Sequence, residues 1–313
     1  MDPHDGEASE ALSDLLERLA VERLEANLFR GGSPPAPNGR IFGGLVLAQG
    51  LRAAFETVEA RPAHSLHAYF LRPGDPRRPI VYEVDRIRDG RSFTTRRIVA
   101  VQGGEAILNM AVSFQIEEAG FEHQIEQDIP TEVDGELYEE GLRRGLRALG
   151  VDIPDGAPKP QPVEIRVPEG LRLFDEERYA PQMGCWLRSR GPLGDDRGLH
   201  QCVLAYASDL AVMVPAIHPH DVGLMSPGIQ SASLDHAMWF HRPLRVDQWL
   251  WCAHESPVTA RARGFGRTAF FTRAGELVAS CAQEGLIRRG ARQQGNFEAA
   301  VRDGPGERGQ SSA

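Results

Sequence analysis

Residues 66–73 read LHAYFLRP and residues 234–243 read LDHAMWFHRP, so that Arg72-Pro73 is answered by Arg242-Pro243. The likeness extends outward from these two strings. IVYEVDRI (80–87) is answered by QWLWCAHESP (248–257), RDGRSFTTRRI (88–98) by RARGFGRTAFF (261–271), and the turn Gly104-Glu105 by Gly275-Glu276. From the proline to a strand-ending glutamine, Gln115 or Gln283, is 42 residues in the first copy and 40 in the second. Strands and turns recurring in one order over such a length mark an internal duplication.

An apolar segment precedes each copy: IFGGLVLAQGLRAAFETV (41–58) and LHQCVLAYASDLAVM (199–213). Each reads as a helix apolar nearly all round, hence buried, and too short to cross a bilayer. The strings after it alternate and are punctuated by turn residues, as in an antiparallel meander. The unit is therefore a buried helix followed by a curved antiparallel sheet, twice over, and the sheet has the helix to bury its apolar face against. Residues 8–30 read as a short helix passing into an extended piece, and 31–39 as a loop. Residues 117–162 break the pattern with an acidic run, one helix (GELYEEGLRRGLRAL) and a proline-rich loop, and read as a connection between the copies. The expected division is 1–119 for the first copy, 120–162 for the linker, 163–290 for the second copy and 291–313 for a disordered tail, which is rich in Gly, Gln and Ser.

Composition excludes several classes of function. Of 313 residues 41% are hydrophobic and 25% charged, ordinary for a globular chain, and the formal net charge of −9 argues against nucleic acid or an anionic membrane as partner. Lys159 is the only lysine and sits in the loop GAPKPQP, which removes Schiff-base and pyridoxal phosphate chemistry. Cys185, Cys202, Cys252 and Cys281 lack CxxC spacing and read as reduced, buried thiols. His218, His220 and Asp221 (IHPHD) read as a loop rather than a metal site, and RGFGR (263–267) is no dinucleotide fingerprint. No GxSxG elbow is present. Trp239, Phe240, Trp249 and Trp251 read as core or dimer interface, and neither metal nor cofactor is expected.

The strings FGGLVLAQ (42–49), HSLHAYFLRPGD (64–75), RDGRSFTTRR (88–97), YASD (206–209), SLDHAMWFHRP (233–243) and QEGLIR (283–288) resemble the TesB-type acyl-CoA thioesterases, also called acyl-CoA thioesterase II, over roughly residues 12–289. The resemblance implies an α+β double hot-dog fold and hydrolysis of medium- to long-chain acyl-CoA. It implies a water activated by an aspartate, a serine or threonine, and a glutamine, which fall by motif on Asp209, Ser233 and Gln283. The residue types suit the chemistry: a carboxylate can take a proton from water, while hydroxyl and amide groups supply donors and acceptors to fix it. Asp209 lies on an apolar helix, where burial would raise its pKa and hydrogen bonds would lower it. The first copy offers no carboxylate in LAQGLRAA although Gln115 is retained, so one active site per chain is expected.

Asp235, beside His236 and on one strand face with Ser233, is the rival carboxylate; it reads more simply as a structural hydrogen bond or ion pair. Two other readings stay open: a hydratase or dehydratase using Asp235 and His236, and a non-catalytic acyl-CoA sensor. The phosphates of coenzyme A call for local arginines, either Arg86, Arg88, Arg91, Arg96 and Arg97 or Arg261, Arg263 and Arg267, with solvated strand faces the equal alternative. A homo-oligomer, dimer or tetramer, in the cytoplasm is expected; the ending QSSA is not a peroxisomal address and the N-terminus lacks a secretory apolar core.

Overall fold

The structure, a computed structural model, describes residues 3–36, 39–154 and 157–290. The tail expected over 291–313 lies outside the described residues. A first helix, α1 (Pro3–Leu19), leads into a hairpin, β1 (Glu22–Glu25) and β2 (Leu28–Gly31). The first apolar segment is α2 (Gly43–Phe55), of which Gly44 to Ala54 are buried apart from Arg52. Its meander follows as β3 (Ala63–Phe70), β4 (Ile80–Asp89), β5 (Phe93–Gln102) and β6 (Glu105–Gln115). Next come β7 (Glu136–Leu137), α3 (Tyr138–Ala148), β8 (Val163–Val167) and β9 (Gln182–Ser189). The second apolar segment is α4 (Arg197–Ser208), followed by a short 3-10 helix (Val214–Ala216). The second meander is β10 (Ile229–Ser233), β11 (Asp235–Phe240), β12 (Leu250–Ala260), β13 (Arg263–Thr272) and β14 (Leu277–Arg289).

The strands form one sheet in the order β1-β2-β4-β5-β6-β3-β11-β14-β13-β12-β9-β8-β7, with β10 also on β14. The halves mirror each other about the antiparallel seam of β3 with β11, where Ala237 faces His67. This is the α+β double hot-dog architecture, with both helices in the hand of the sheet. Glycine lets them approach: a Cβ on Gly44 would lie 2.4 Å from the carbonyl oxygen of Tyr206, a contact only a glycine permits. The helices run antiparallel, because Arg52 near the end of α2 meets Asp196, the N-cap of α4, at 3.1 Å.

Strand alternation sends every second residue inward. On β5 the inward set is Thr94, Arg96, Ile98, Ala100 and Gln102. Register also corrects one equivalence. Leu66 faces Val112 across β3 and β6, and the pairing of Ala237 with Ala282 sets His236 opposite Gln283. With Arg72-Pro73 laid on Arg242-Pro243, Leu66 takes the place of His236 and Val112 that of Gln283. Gln115 is therefore no counterpart of Gln283; it sits at the end of β6 and donates to Glu118 at 3.2 Å.

The stretch after β6 runs without helix or strand to β7 and lies on the second half of the sheet. The Gln124 amide donates to Gly275 O at 2.7 Å and accepts from Leu277 N at 3.1 Å. Ile129 and Val133 pack on Trp186, Trp251 and Phe271. Of the four aromatics read as core or interface, Trp251 and Trp249 join that cluster, Trp249 also lying under the Arg188 guanidinium, while Phe240 enters the main core and Trp239 stacks edge-on to His67 at the surface.

Candidate active site

Asp209 is the C-cap residue of α4. Its Oδ1 accepts from Ser233 Oγ at 3.1 Å and from Gln283 Nε2 at 2.9 Å, and Gln283 Nε2 also donates to Ser233 Oγ at 2.9 Å. Three elements thus deliver the three expected side chains to one point: the end of α4, the end of β10 and the middle of β14. Both amide protons of Gln283 and the hydroxyl proton of Ser233 are spent within this triangle.

The first copy contributes the other wall. The N-cap of α2 is Phe42, whose side chain caps nothing, so the first turn keeps backbone N–H groups free for another acceptor. The Gly44 N–H faces the Asp209 carboxylate and draws its pKa down. Gly43 leaves room for Oδ2, which lies 2.8 Å from where a Cβ would stand. The carboxylate is held between the C-terminus of one helix and the positive N-terminus of the other. Phe42 and Tyr206 meet edge to face at 5.1 Å beside it.

Burial pushes the Asp209 carboxyl above the usual carboxylate range, against the pull of the His236 imidazole and of the donors from Gln283, Ser233 and Gly44. Burial likewise holds His236 below the ordinary imidazole value, with the Asp209 charge acting the other way. His236 lies behind the triangle: Nδ1 is 2.5 Å from Gln283 Oε1 and Nε2 is 2.9 Å from Ser208 Oγ. Asp235 takes no part in this network. It accepts the backbone N–H of Glu284 at 2.8 Å, the plain structural hydrogen bond that the sequence also allowed.

The mirror-related position is filled with carbon. Phe55, at the end of α2, packs edge-on to Phe114 at 5.2 Å and lies beside Gly198 near the start of α4. One end of the helix pair carries a hydrogen-bonded carboxylate and the other an aromatic plug.

Relatives sharing this chain's sequence are acyl-CoA thioesterases. The family description "Acyl-CoA thioesterase" matches residues 157–286, and "Acyl-CoA thioesterase N-terminal domain" matches 33–115. Acyl-CoA thioesterase 2 of Haemophilus influenzae is 34% identical over 284 residues, spanning 90% of this chain and 99% of the relative. This chain belongs to the acyl-CoA thioesterase family. Human acyl-coenzyme A thioesterase 8 is 37% identical to this thioesterase over 287 residues, 86% of this chain and 87% of that one. The crystal structure of the acyl-CoA thioesterase II TesB2 from Mycobacterium marinum superposes at a TM-score of 0.72 with 38% identity, over 90% of this chain and all of that one.

Several side chains singled out in the sequence lie elsewhere in this thioesterase. Arg96 is 1% exposed and donates to Thr57 Oγ1, Thr57 O, Arg88 O and Asp89, so it is a structural cation and cannot meet a phosphate. Arg263 is paired with Glu284 and Arg267 with Glu255. Arg86 donates to Asn27, and Arg97 lines a surface hollow together with Glu25, Glu83 and Asp85, an acidic setting. His218 is buried against Ala180 O, while Asp221 pairs with Arg289 on the surface. RGFGR lies within β13. All four cysteines are free and buried, yet strand pairing gathers what sequence spacing scatters. Cys185 faces Cys252, and Cys185 Sγ lies 3.3 Å from His254 Nε2.

Proposed function

We propose that this thioesterase hydrolyses medium- to long-chain acyl-CoA to free fatty acid and coenzyme A by direct attack of water, with Asp209 as the general base. The Asp209–Ser233–Gln283 triangle carries the reading. Its donors occupy Oδ1, leaving Oδ2, on the side of the α2 N-terminus, as the oxygen that takes the proton. Water oxygen bonds to the thioester carbonyl carbon while its proton passes to Asp209. The tetrahedral intermediate then collapses, the C–S bond breaks, and the departing thiolate of coenzyme A takes that proton back. The positive N-terminus of α2 stabilises the developing oxyanion.

The test is thiol release from octanoyl- and palmitoyl-CoA by wild type and by folded Asp209→Asn. Release by wild type and a loss of about 10²- to 10⁴-fold in the variant, the scale of a general base, supports both reaction and base. Equal release by both proteins retains the reaction and rejects Asp209. Because Asp235 and His236 direct their hydrogen bonds to Glu284, Gln283 and Ser208, the hydratase reading loses its acid–base pair.

On this reading residues 1–119 and 163–290 are the two copies, joined by 120–162, and the first copy supplies walls rather than a second site. No described helix is long and apolar enough to cross a membrane, and the four buried free thiols suit a reducing, cytoplasmic setting. A homo-oligomer is proposed from the exposed Tyr69 and Trp239 on the outer face of the β3–β11 seam.

A further inference from the structure

We propose that His236 is a positioning residue which, as the Nδ1–H tautomer, fixes the orientation of the Gln283 amide and through it the donors that hold Asp209. The inference rests on the function proposed above and adds a residue to it.

A glutamine amide is nearly symmetric in shape and opposite in polarity at its two ends. The triangle uses it in one sense only, because Nε2 lies 2.9 Å from both Asp209 Oδ1 and Ser233 Oγ. Turned by half a rotation, Gln283 would put its oxygen against the carboxylate oxygen, acceptor against acceptor. The carboxylate resists that turn from the front, and His236 resists it from behind. With Oε1 facing Nδ1 at 2.5 Å, the contact is a hydrogen bond only if Nδ1 carries the proton.

The far nitrogen is set by Ser208. The Ser208 Oγ stands 2.9 Å from both Ala205 O and His236 Nε2, with a single hydroxyl proton for the two. In neutral His236 the Nε2 lone pair takes that proton. In the imidazolium Nε2 donates instead and the Ser208 proton turns to Ala205 O. Nδ1 donates to Gln283 in both states, so the amide keeps its sense whatever the charge of the ring. His236 is 1% exposed, which shields the arrangement from competing water.

The first copy supplies the control substitution. Leu66 occupies the position of His236 on the paired strand and is fully buried, so the fold accepts leucine there. The experiment compares steady-state thiol release by wild type, His236→Leu, His236→Asn and Asp209→Asn, each confirmed folded. Asparagine can place an amide N–H close to Nδ1; leucine cannot. The expected result is a kcat loss of roughly 10- to 100-fold for His236→Leu with KM unchanged, and recovery of most of that loss in His236→Asn. Wild-type kcat in His236→Leu overturns the proposal, and so does an equal loss in both variants. Asp209→Asn separates the two levels: if it keeps wild-type activity, the base assignment fails by itself. A readout independent of turnover is ¹⁵N NMR of the His236 ring, which should show the proton on Nδ1 at pH 8; a proton on Nε2 alone overturns the proposal even if thioester hydrolysis stands.

Discussion

The Asp209 carboxylate is seated on Gly43 across the two copies of the duplicated unit, its Oδ2 standing 2.8 Å from where a Cβ on that glycine would lie. One group ends α4, the other opens α2, and the two helices lie antiparallel against one another. The site is therefore a product of the helix pairing, and changes to that pairing should reach the chemistry directly.

Gly44→Ala tests this coupling. Its Cβ would stand 2.4 Å from the Tyr206 carbonyl oxygen, a backbone atom that cannot swing aside. The helices must part, at a cost of about 1–3 kcal/mol typical of overpacking. Urea unfolding should show that loss, and thiol release measured well below the new midpoint should fall at least tenfold. An alanine variant with unchanged stability and rate would contradict the tight crossing.

The raised pKa of Asp209 sets two pH dependences. Hydrolysis needs the ionised carboxylate, so kcat should climb with pH through a midpoint above the ordinary carboxylate range. Stability has the opposite sign. A folded-state pKa above the unfolded one favours the protonated, folded form, so this contribution is present below the unfolded pKa and lost as pH rises through the folded one. Asp209→Asn should then melt above wild type at pH 7, with the difference shrinking towards pH 4. A variant that melts lower at pH 7 would count against the buried-carboxylate account.

Arg96 separates folding from substrate binding. Arg96→Gln leaves the buried carbonyl and hydroxyl acceptors around it short of donors, while Asp89 is exposed, and a loss of about 1–3 kcal/mol is expected. KM for acyl-CoA, measured at a temperature where the variant is folded, should not move. A rise in KM without loss of stability would return Arg96 to the phosphate-binding candidates.

The four buried thiols give a simple check on the core. Ellman's reagent should titrate almost none of them in the native protein and all of them in guanidinium. One fast-reacting thiol in the native state would place a cysteine at the surface, contrary to the packing of Cys185 and Cys252 between strands.

The helices and the meanders were legible because their signals are local: apolar segments of helical length, alternating strings and turn glycines. The three expected site residues were legible through motif resemblance, and they do converge. What escaped the sequence was set by register and by contacts between copies. VEIRV and QMGCWLRS, now β8 and β9, are short and largely buried, so neither shows clean alternation. Gln115 was matched to Gln283 by linear distance from a proline. That count passes register shifts at Ala100/Val101 and Phe270/Phe271, and only strand pairing reveals that Val112 is the true counterpart. Arg96 reads as a charge on a strand until alternation with Ile98 and Ala100 turns it inward. Gly43, Gly44 and His236 carry no local mark of a site, since what distinguishes them is a neighbour from elsewhere in the chain.

Phe55 and Asp209 mark the opposite ends of one helix pair. Two identical subunits assembled from the single unit would have to bear every substitution twice, once at each symmetry-related end. Joined into one polypeptide, the ends became separately heritable: an aromatic ring could be fixed at one without being imposed on the other. The duplication thus released the molecule from its own symmetry, letting one pole be selected for cohesion and the other for chemistry.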